Sequence, residues 1–404
     1  MPEVFTYRND SPSRITPEGT LAGLRVAVQP NLAVRGWPCD AGSRALSGYT
    51  ALQDATVIAR LVRAGAVLSG SSRMAELGFG LTGDTSARTV VDGHADVALI
   101  TDTMGEVRLA AAGAGLFGLK PTYGLVSRHG LAGLVPSMES IGLAGADPGR
   151  IAETLAVMAG ADPDDPSMPD DCTAGFSAVP PSGTGSLTAG VIEENLTRLD
   201  PEERLVFDVG VARLEAAGVA IQTVNLADYG LFQDVHHLIA AVEASSSAGK
   251  FDGVRYGHRS AVGKNWNDMY LNTRAESFGS LIKPFLFQGA YFQFERYAAF
   301  ENACRLRGRL VRAVDDLLGQ VDLIVLPTRR PASDPKRAAT IQATYAAFAL
   351  TLPASVTGHP ALQVPNPGLA AAQDTGLQLI GRRLDDGRLL AIGQHLSSAA
   401  REGR

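Results

Sequence analysis

Residues 95–121 read ADVALITDTMGEVRLAAAGAGLFGLKP, and they set the pattern for the rest of the chain. The first eight residues, ADVALITD, are apolar enough to predict a buried strand. The segment 108–121 is rich in alanine and glycine, which predicts a small-residue helix packed closely on a sheet. A strand followed at once by a helix is the repeating unit of an α/β fold.

The same alternation extends to both ends of the chain. The predicted strands begin at residues 24, 66, 187, 219, 321, 361 and 376. The predicted helices cover about 50–65, 200–217, 290–318 and 385–400. We therefore expect an α/β fold with a largely parallel or mixed sheet.

Composition and charge exclude several classes of protein. The 404 residues include 36 basic and 42 acidic side chains, giving a net charge of −6, and this balance offers no basic surface for nucleic acid. Three isolated cysteines indicate a reducing, cytoplasmic setting. No signal peptide, apolar membrane-spanning run or metal-ligand spacing of histidines is present. We expect a cytoplasmic protein without nucleic acid, membrane, metal or cofactor.

The chain reads as a single domain spanning residues 1–404. Residues 1–20 form an N-terminal extension ahead of the first apolar strand. The segment 161–186 is rich in proline, aspartate, glycine and serine, so we predict a long surface loop there rather than a domain boundary.

Five blocks of sequence, in one order, carry a resemblance to a known family. They are residues 21–46, 54–80, 100–131, 251–260 and 350–365, and the third contains GLKPTYGLVSR. From about Leu21 to its end the chain resembles the amidase signature family, and within it the glutamine-amidase subunit of tRNA-dependent amidotransferases. The resemblance implies a mixed central β-sheet flanked by helices on both faces. It also implies amide hydrolysis by a Ser-cisSer-Lys triad.

The positions that match this triad hold other residues. Gln29 stands in place of the lysine, Thr82 in place of the relay serine, and Glu106 in place of the nucleophilic serine. Met104 replaces a glycine of the oxyanion loop. Because an amide side chain has no basic electron pair, Gln29 cannot act as a general base. The resemblance therefore predicts that the triad is lost and that family-type amide hydrolysis is absent.

Glu106 supports two interpretations. A carboxylate at the bottom of a partly apolar cleft would have a raised pKa and could act as a general acid or base, assisted by Thr82 and Gln29. Alternatively, Glu106 accepts hydrogen bonds from Gln29 and Thr82 and fills the space of the former triad. A relocated nucleophile, Ser71 or Ser86, is a further alternative, although the sequence identifies no base beside either.

The resemblance also places the substrate pocket. His236, Phe285 and Phe348 match a tyrosine, an arginine and an aspartate that hold glutamine in the family. Phenyl rings cannot pair the charges of free glutamine, so a flat apolar or aromatic ligand fits better. Alternatively, the two rings fill a disused cavity. The segment 103–105 completes this predicted substrate-binding set with Thr103, Met104 and Gly105.

Three functional hypotheses follow from these positions. The first is a non-hydrolytic, biosynthetic enzyme that acts on an apolar or aromatic small molecule with Glu106 as general acid or base. The second is an inactive pseudoenzyme that serves as a scaffold or regulatory subunit. The third is a residual amide hydrolase with a mechanism centred on Glu106. A protein partner or a homodimer is compatible with each hypothesis.

Overall fold

The computed structural model describes residues 3–10, 18–172, 177, 187–192, 194, 196, 199, 201–329, 336–366 and 376–402. The strands of this described part are β1 Phe5–Arg8, β2 Arg25–Val28, β3 Val67–Ser72, β4 Val97–Asp102, β5 Phe117–Lys120, β6 Ser140–Gly145, β7 Thr188–Ile192, β8 Ala220–Val224, β9 Leu323–Pro327, β10 Ala361–Val364 and β11 Leu377–Ile380. The helices are α1 Thr56–Arg63, α2 Ser86–Val91, α3 Glu106–Ala112, α4 Pro148–Met158, α5 Pro201–Ala216, α6 Leu231–Ser247, α7 Trp266–Ser277, α8 Ile282–Phe294, α9 Tyr297–Leu318, α10 Ile341–Phe348, α11 Leu352–Thr357 and α12 Asp386–Glu402.

The strands of the described residues form one mixed sheet in the order β1-β3-β2-β4-β6-β5-β10-β11-β9-β7-β8. Parallel pairs, β3 with β2, β2 with β4, β9 with β7 and β7 with β8, lie towards the two edges. The central strands from β4 through β9 pair in antiparallel fashion. The predicted mixed sheet is therefore confirmed.

Helices cover both faces of this sheet. Side chains alternate along β4, so that Val97 and Leu99 face one apolar layer while Ala98 and Ile100 face the other. The first layer includes residues of α1, α4, α5 and α12, and the second includes residues of α3, α6, α8 and α9. All six residues of β4 are buried, which is typical of a strand covered on both faces.

Two predicted helices differ from the structure. The alanine- and glycine-rich segment 108–121 is not one helix, because α3 ends at Ala112 and β5 begins at Phe117. Gly115, with φ of +66°, allows the chain to reverse between them. The predicted helix 290–318 is two helices, since the backbone leaves helical geometry at Arg296.

Half of the long loop predicted at 161–186 lies within the described residues, and there, over 161–172, the chain has turns but no helix or strand. The rest of this segment lies outside the described residues, as does Asp200, the predicted cap of α5. The assignment of the whole chain to a single domain stays a prediction. In the part of the chain that the structure describes, no helix is both long and apolar enough to cross a lipid bilayer.

Candidate active site

The candidate site lies where the parallel strands β2 and β4 end. Gln29 follows the last residue of β2, and Asp102 is the last residue of β4. Ligands of open α/β sheets bind beyond the carboxyl ends of such strands, so polar side chains gathered there are candidates for chemistry. Gln29, Asp102 and Glu106 are each at most 3% exposed.

The turn between β4 and α3 wraps around one oxygen atom. The backbone N–H groups of Thr103, Met104 and Gly105 donate to Oε2 of Glu106, at N···O distances of 2.7, 2.8 and 3.1 Å. The backbone N–H of Gly80 donates to Oε1 of the same carboxylate at 3.3 Å. We call the first three N–H groups the amide nest. In this conformation the nest is occupied by the protein's own carboxylate.

Gly105 is required for the shape of the amide nest. Its φ is +138°, a value that side-chain-bearing residues rarely adopt. A Cβ atom at this position would lie 2.1 Å from Oγ1 of Thr351, which donates a 2.6 Å hydrogen bond to the carbonyl of Met104. Glycine therefore allows the loop and the start of α11 to come into contact.

Opposing effects act on the Glu106 carboxyl group. Burial and the nearby negative charge of Asp102 raise its pKa from 4.5 to about 7, against the backbone hydrogen bonds from Met104 and Thr103, which lower it. Glu106 can therefore change its protonation state near neutral pH. Loss of the negative charge would weaken the attraction between the carboxyl group and the nest.

A buried ion pair anchors this loop. The Arg108 guanidinium contacts both oxygens of Asp102, at 2.9 Å from Nη2 and 3.1 Å from Nε, and both side chains are fully buried. Arg108 also donates to the carbonyl of Thr351, the hydroxyl of Ser355 and the side-chain oxygen of Gln378. The pair thus joins β4, α3, α11 and β11, and its charges are satisfied by hydrogen bonds.

Gln29 lies in a second polar cluster. Its Nε2 donates to Oδ2 of Asp84 at 2.8 Å and to the hydroxyl of Ser86 at 3.3 Å, and its Oε1 accepts from the backbone N–H of Thr101. The Ser86 hydroxyl lies 3.2 Å from Oδ2 of Asp84 and 2.8 Å from the hydroxyl of Ser72. We call Gln29, Asp84, Ser86 and Ser72 the serine cluster.

The serine cluster contains a carboxylate suited to act as a base. Burial raises the pKa of Asp84 from 3.8 to about 6, while hydrogen bonds from Ser86 and Gln29 act in the opposite direction. At neutral pH Asp84 is therefore mostly ionised, yet more basic than an exposed aspartate. The Ser86 hydroxyl contacts the Asp84 carboxylate, and Gln29 orients that carboxylate. Such an arrangement can activate a nucleophile.

The three predicted catalytic positions do not form one network. No hydrogen bond among the described residues links Glu106 to Gln29 or Thr82. Thr82 is exposed, and its hydroxyl donates to the carbonyl of Ala338 at 3.2 Å. The chain turns at Gly83, with φ of +77°, and thereby brings Asp84 to Gln29 where the alignment placed Thr82.

His236 contacts the backbone carbonyl of Thr103, the first residue of the amide nest. Its Nε2 lies 3.1 Å from the carbonyl of Thr103, which can only accept, so Nε2 carries the proton. Nδ1 then accepts from the hydroxyl of Tyr345 at 2.9 Å. Burial lowers the pKa of His236 to about 4, so the ring is neutral at physiological pH.

Phe285 and Phe348 are fully buried and belong to the apolar layer beside α3. The ring of Phe285 packs on Phe79 with centroids 4.4 Å apart, and His237 stacks between Phe285 and Tyr345. The predicted aromatic ligand is not supported, because both rings are buried in the apolar layer and Phe79 and His237 pack on the ring of Phe285. The assignment of His236, Phe285 and Phe348 to substrate binding remains a prediction.

A surface cavity of about 460 Å³ borders the serine cluster. It is lined by Pro30 and Gly83, the chain neighbours of Gln29 and Asp84, and by Arg44 and Arg73. Its volume falls within the range typical of small-molecule sites. Asp40 also lines the cavity, so the two arginines and this aspartate leave one net positive charge for a ligand that carries a carboxylate.

Sequence reasoning missed Asp84 and Arg108. The signal for Asp84 was its position, two residues before Ser86, within the block that replaces the family's glycine-rich run. Arg108 follows Asp102 by six residues, and this spacing alone does not predict a contact. The two side chains meet because the chain turns at Gly105. Within the described residues, no group of three or more His, Cys, Asp or Glu side chains is placed to hold a metal ion.

Comparison with known proteins identifies relatives along nearly the whole chain. The family model named Amidase matches residues 7–93 and 86–390. The A subunit of the glutamyl-tRNA(Gln) amidotransferase of Natronomonas pharaonis is 33% identical over 420 aligned positions, covering 95% of this chain and 97% of that protein. The same subunit of Haloarcula marismortui is 32% identical, covering 98% of this chain and all of that protein.

These relatives correct the functional hypotheses drawn from the altered triad positions. Relatives at about one third identity over nearly full length carry the name of an amidotransferase subunit, which contradicts both a non-hydrolytic biosynthetic enzyme and an inactive scaffold. The relatives do not test the third hypothesis, a hydrolase centred on Glu106, which stays a prediction; in this conformation four backbone N–H groups engage that carboxylate. The loss of the triad itself stays a prediction.

Solved structures share the fold. The structure of the glutamyl-tRNA(Gln) amidotransferase A subunit from Thermotoga maritima superposes with a TM-score of 0.78 at 26% identity, covering 97% of this chain and 86% of that one. The 6-aminohexanoate cyclic dimer hydrolase superposes with a TM-score of 0.76 at 21% identity, covering 95% and 86%, which is evidence of the fold alone. Fold, family model and full-length relatives agree, and the chain belongs to the amidase family.

Proposed function

We propose that this chain is the amide-cleaving subunit of an amidotransferase-type assembly, with Ser86 as the nucleophile and Asp84 as its base. The observation that carries this proposal is the amide nest, in which three successive backbone N–H groups converge on one oxygen atom. The proposal gives the nest the task of stabilising the oxyanion formed when an amide carbonyl is attacked.

The distances in the nest support this role. Effective oxyanion donors lie 2.7–3.1 Å from the oxygen that becomes charged. The three N–H groups lie 2.7–3.1 Å from Oε2 of Glu106, which marks where such an oxygen would sit. For catalysis the Glu106 carboxylate leaves this position and the substrate oxygen takes its place.

Gln29 connects the serine cluster to the strand that leads into the nest. Its Oε1 accepts from the backbone N–H of Thr101, and Thr103, whose N–H belongs to the nest, follows two residues later. The Ser86 hydroxyl is within 3.2 Å of Asp84, whose other oxygen accepts from the backbone N–H of Ser86. Asp84 is therefore held in position by two hydrogen bonds, from Gln29 and from this N–H, besides the one to the nucleophile.

The proposed reaction uses Ser86, Asp84, the amide nest and water. Oγ of Ser86 forms a bond to the amide carbon and its proton passes to Asp84, while the carbonyl oxygen becomes an anion in the nest. The C–N bond then breaks, and Asp84 returns the proton to the departing nitrogen, which leaves as ammonia. Water hydrolyses the acyl ester on Ser86. The serine cluster is buried, and the cavity lined by Pro30 and Gly83, the chain neighbours of Gln29 and Asp84, is the proposed approach for the substrate.

The name of the relatives supports a protein partner. Each is named as the A subunit of an amidotransferase, a name that implies further subunits for those proteins. The proposal therefore places this chain in a complex that receives the ammonia. Cys39 and Cys172 are buried free thiols and Cys304 is an exposed one, which agrees with the cytoplasm as the place of assembly.

Release of ammonia from primary carboxamides tests the proposal. The purified chain, alone and with a co-expressed partner protein, is assayed on a panel of carboxamides with and without a carboxylate. We expect the wild type to release ammonia and Ser86→Ala to release none. Ser277→Ala, which removes another buried hydroxyl, is the control and should release ammonia at the wild-type rate. Equal release by Ser86→Ala and wild type would contradict the proposal, as would the absence of release from every amide in both states.

A further inference from the structure

An exposed aromatic stripe runs along α8 and reaches the start of α9. Phe287, Tyr291 and Phe294 lie at i, i+4 and i+7, so they share one face of α8. Tyr297 begins the next helix. Their exposed fractions are 76%, 48%, 76% and 54% in chain order. We call these four residues the aromatic stripe.

The opposite face of α8 is fixed in the core. Ile282, Phe285 and Leu286 are buried, and a Cβ atom at Gly289 would lie 1.8 Å from the carbonyl oxygen of Ala241 in α6. Since α8 packs this closely on α6, it cannot rotate to bury the aromatic stripe. The stripe is therefore a fixed property of the surface.

The stripe is comparable to the largest apolar patch of a typical monomer, about 300–600 Å², and such patches are often functional. It exposes roughly 500 Å² of aromatic side chain, taking about 200 Å² for a fully exposed ring. Monomeric proteins rarely expose larger contiguous apolar patches. A standard interface buries about 800 Å² on each partner and has an apolar core with a polar rim. The stripe is large enough to form the apolar core of such an interface.

A basic and an acidic residue flank the stripe, so two copies of it could pair opposite charges. Lys283 and Glu295 lie six residues before and six residues after Gly289, at opposite ends of the exposed face. Neither forms a salt bridge within 4.0 Å of another described residue, although the charge of Lys283 also acts on the Glu76 carboxyl group, where it opposes the rise in pKa that burial causes. A two-fold axis at the middle of α8 would set two copies of the helix antiparallel and place Lys283 of each copy opposite Glu295 of the other.

We propose that the aromatic stripe is the interface of a homodimer, formed by antiparallel pairing of α8 with α8 of a second copy of this chain. Phe287 and Tyr291 flank the axis and form the centre of the contact, where aromatic residues contribute most to binding. Phe294 and Tyr297 extend the contact on both sides. The Lys283 and Glu295 pairs set the antiparallel direction.

Sedimentation velocity of the full chain measures the expected state. We expect a particle of twice the 42.3 kDa chain mass for the wild type. Phe287→Glu and Phe294→Glu each yield the single-chain mass, because a carboxylate would be buried in the contact. Leu271→Glu is the matched control: it removes a side chain that is 63% exposed on α7, outside the stripe, and the dimer should persist.

A charge exchange tests which partner covers the stripe. Lys283→Glu alone and Glu295→Lys alone each weaken dimerisation roughly tenfold, because each replaces two attractive pairs with repulsive ones. The double variant K283E/E295K restores wild-type affinity, since the pairs return with their signs exchanged. Failure of this restoration overturns the antiparallel arrangement.

Other occupants give different results. A wild-type chain that sediments as a monomer at all concentrations overturns the proposal. So does a dimer that survives both Phe287→Glu and Phe294→Glu. Binding of a monomeric chain to vesicles of phosphatidylcholine and phosphatidylglycerol, lost in Phe294→Glu, would assign the stripe to a membrane surface and overturn the homodimer.

Discussion

Oε2 of Glu106 lies 2.7 Å from the backbone nitrogen of Thr103, and two further backbone N–H groups donate to the same oxygen. The position that matches a nucleophile in the family thus holds a group that occupies the amide nest in this conformation. The nest itself is fully formed, with the loop carbonyl of Met104 held by Thr351 and that of Thr103 held by His236. The Glu106 carboxylate thus fills the position that the proposed function assigns to a substrate oxyanion.

The first prediction concerns pH and stability. The pKa of Glu106 is raised from 4.5 to about 7 by burial, so between these values the folded protein binds more protons than the unfolded chain. The contribution of Glu106 to stability is therefore most favourable at low pH and declines as pH rises to about 7, by roughly 3 kcal/mol. In Glu106→Gln this decline is absent. Urea unfolding of both proteins across this range measures the difference in slope.

Glu106→Ala is the companion to that experiment. It leaves the nest N–H groups without an acceptor at every pH, at a cost of about 1–3 kcal/mol for each group that water cannot reach. The prediction fails if wild type and Glu106→Gln show the same dependence of unfolding free energy on pH.

A second prediction concerns the backbone at Gly105. Gly105→Ala puts a methyl group 2.1 Å from the Thr351 hydroxyl and forces an unfavourable φ, so we expect a loss of several kcal/mol, well above the roughly 1–3 kcal/mol of backbone strain alone. Gly83→Ala is the matched control, because its φ of +77° is also positive but no atom lies within 4 Å of the new Cβ. Thermal unfolding compares them, and equal losses would contradict the steric argument.

A third prediction concerns the buried ion pair. Arg108→Met leaves the Asp102 carboxylate buried without its partner, so we expect a loss of about 3–5 kcal/mol in unfolding free energy. Arg108→Lys should recover only part of it, because an ammonium cannot contact both carboxylate oxygens in the same way. Denaturant titration measures both variants. A loss below about 1 kcal/mol in Arg108→Met would show that the pair is not required, since surface pairs have that magnitude.

The fold was largely readable from sequence, because buried strands such as β4 and β9 are continuous apolar runs. The segment 108–121 was misassigned because alanine and glycine favour no single element there, and the sheet decides where α3 ends. Tertiary pairing of β5 with β6 and β10 outweighs the helix preference of this segment.

The site was readable only in part. The structure places Gln29 directly after β2 and Glu106 at the start of α3, but Gln29 contacts Asp84 rather than the predicted Thr82, whose hydroxyl donates to Ala338. The chain turns at Gly83, with φ of +77°, between Thr82 and Asp84, and the sequence alone does not predict which of the two reaches Gln29. The sequence identified no base beside Ser86, the proposed nucleophile, because the contact between Ser86 and Asp84 is visible only in the structure.

A fourth prediction concerns the pH dependence of catalysis. Because Asp84 must be ionised to accept a proton and its pKa is about 6, ammonia release should rise with pH through about 6 and then level off. Asp84→Asn removes the base and should reduce release at least about a hundredfold. A profile without this rise, or an active Asp84→Asn variant, would show that Asp84 serves only to cap the first turn of α2.

Trapping the acyl intermediate identifies the nucleophile itself. Rapid acid quench of the chain during turnover of a carboxamide, followed by proteolysis and mass spectrometry, identifies the residue that carries the acyl group. We expect an acyl ester on Ser86 that accumulates before water hydrolyses it. Ser86→Ala should carry no such ester. An acyl group on another residue, or turnover with no covalent intermediate on Ser86, would contradict it.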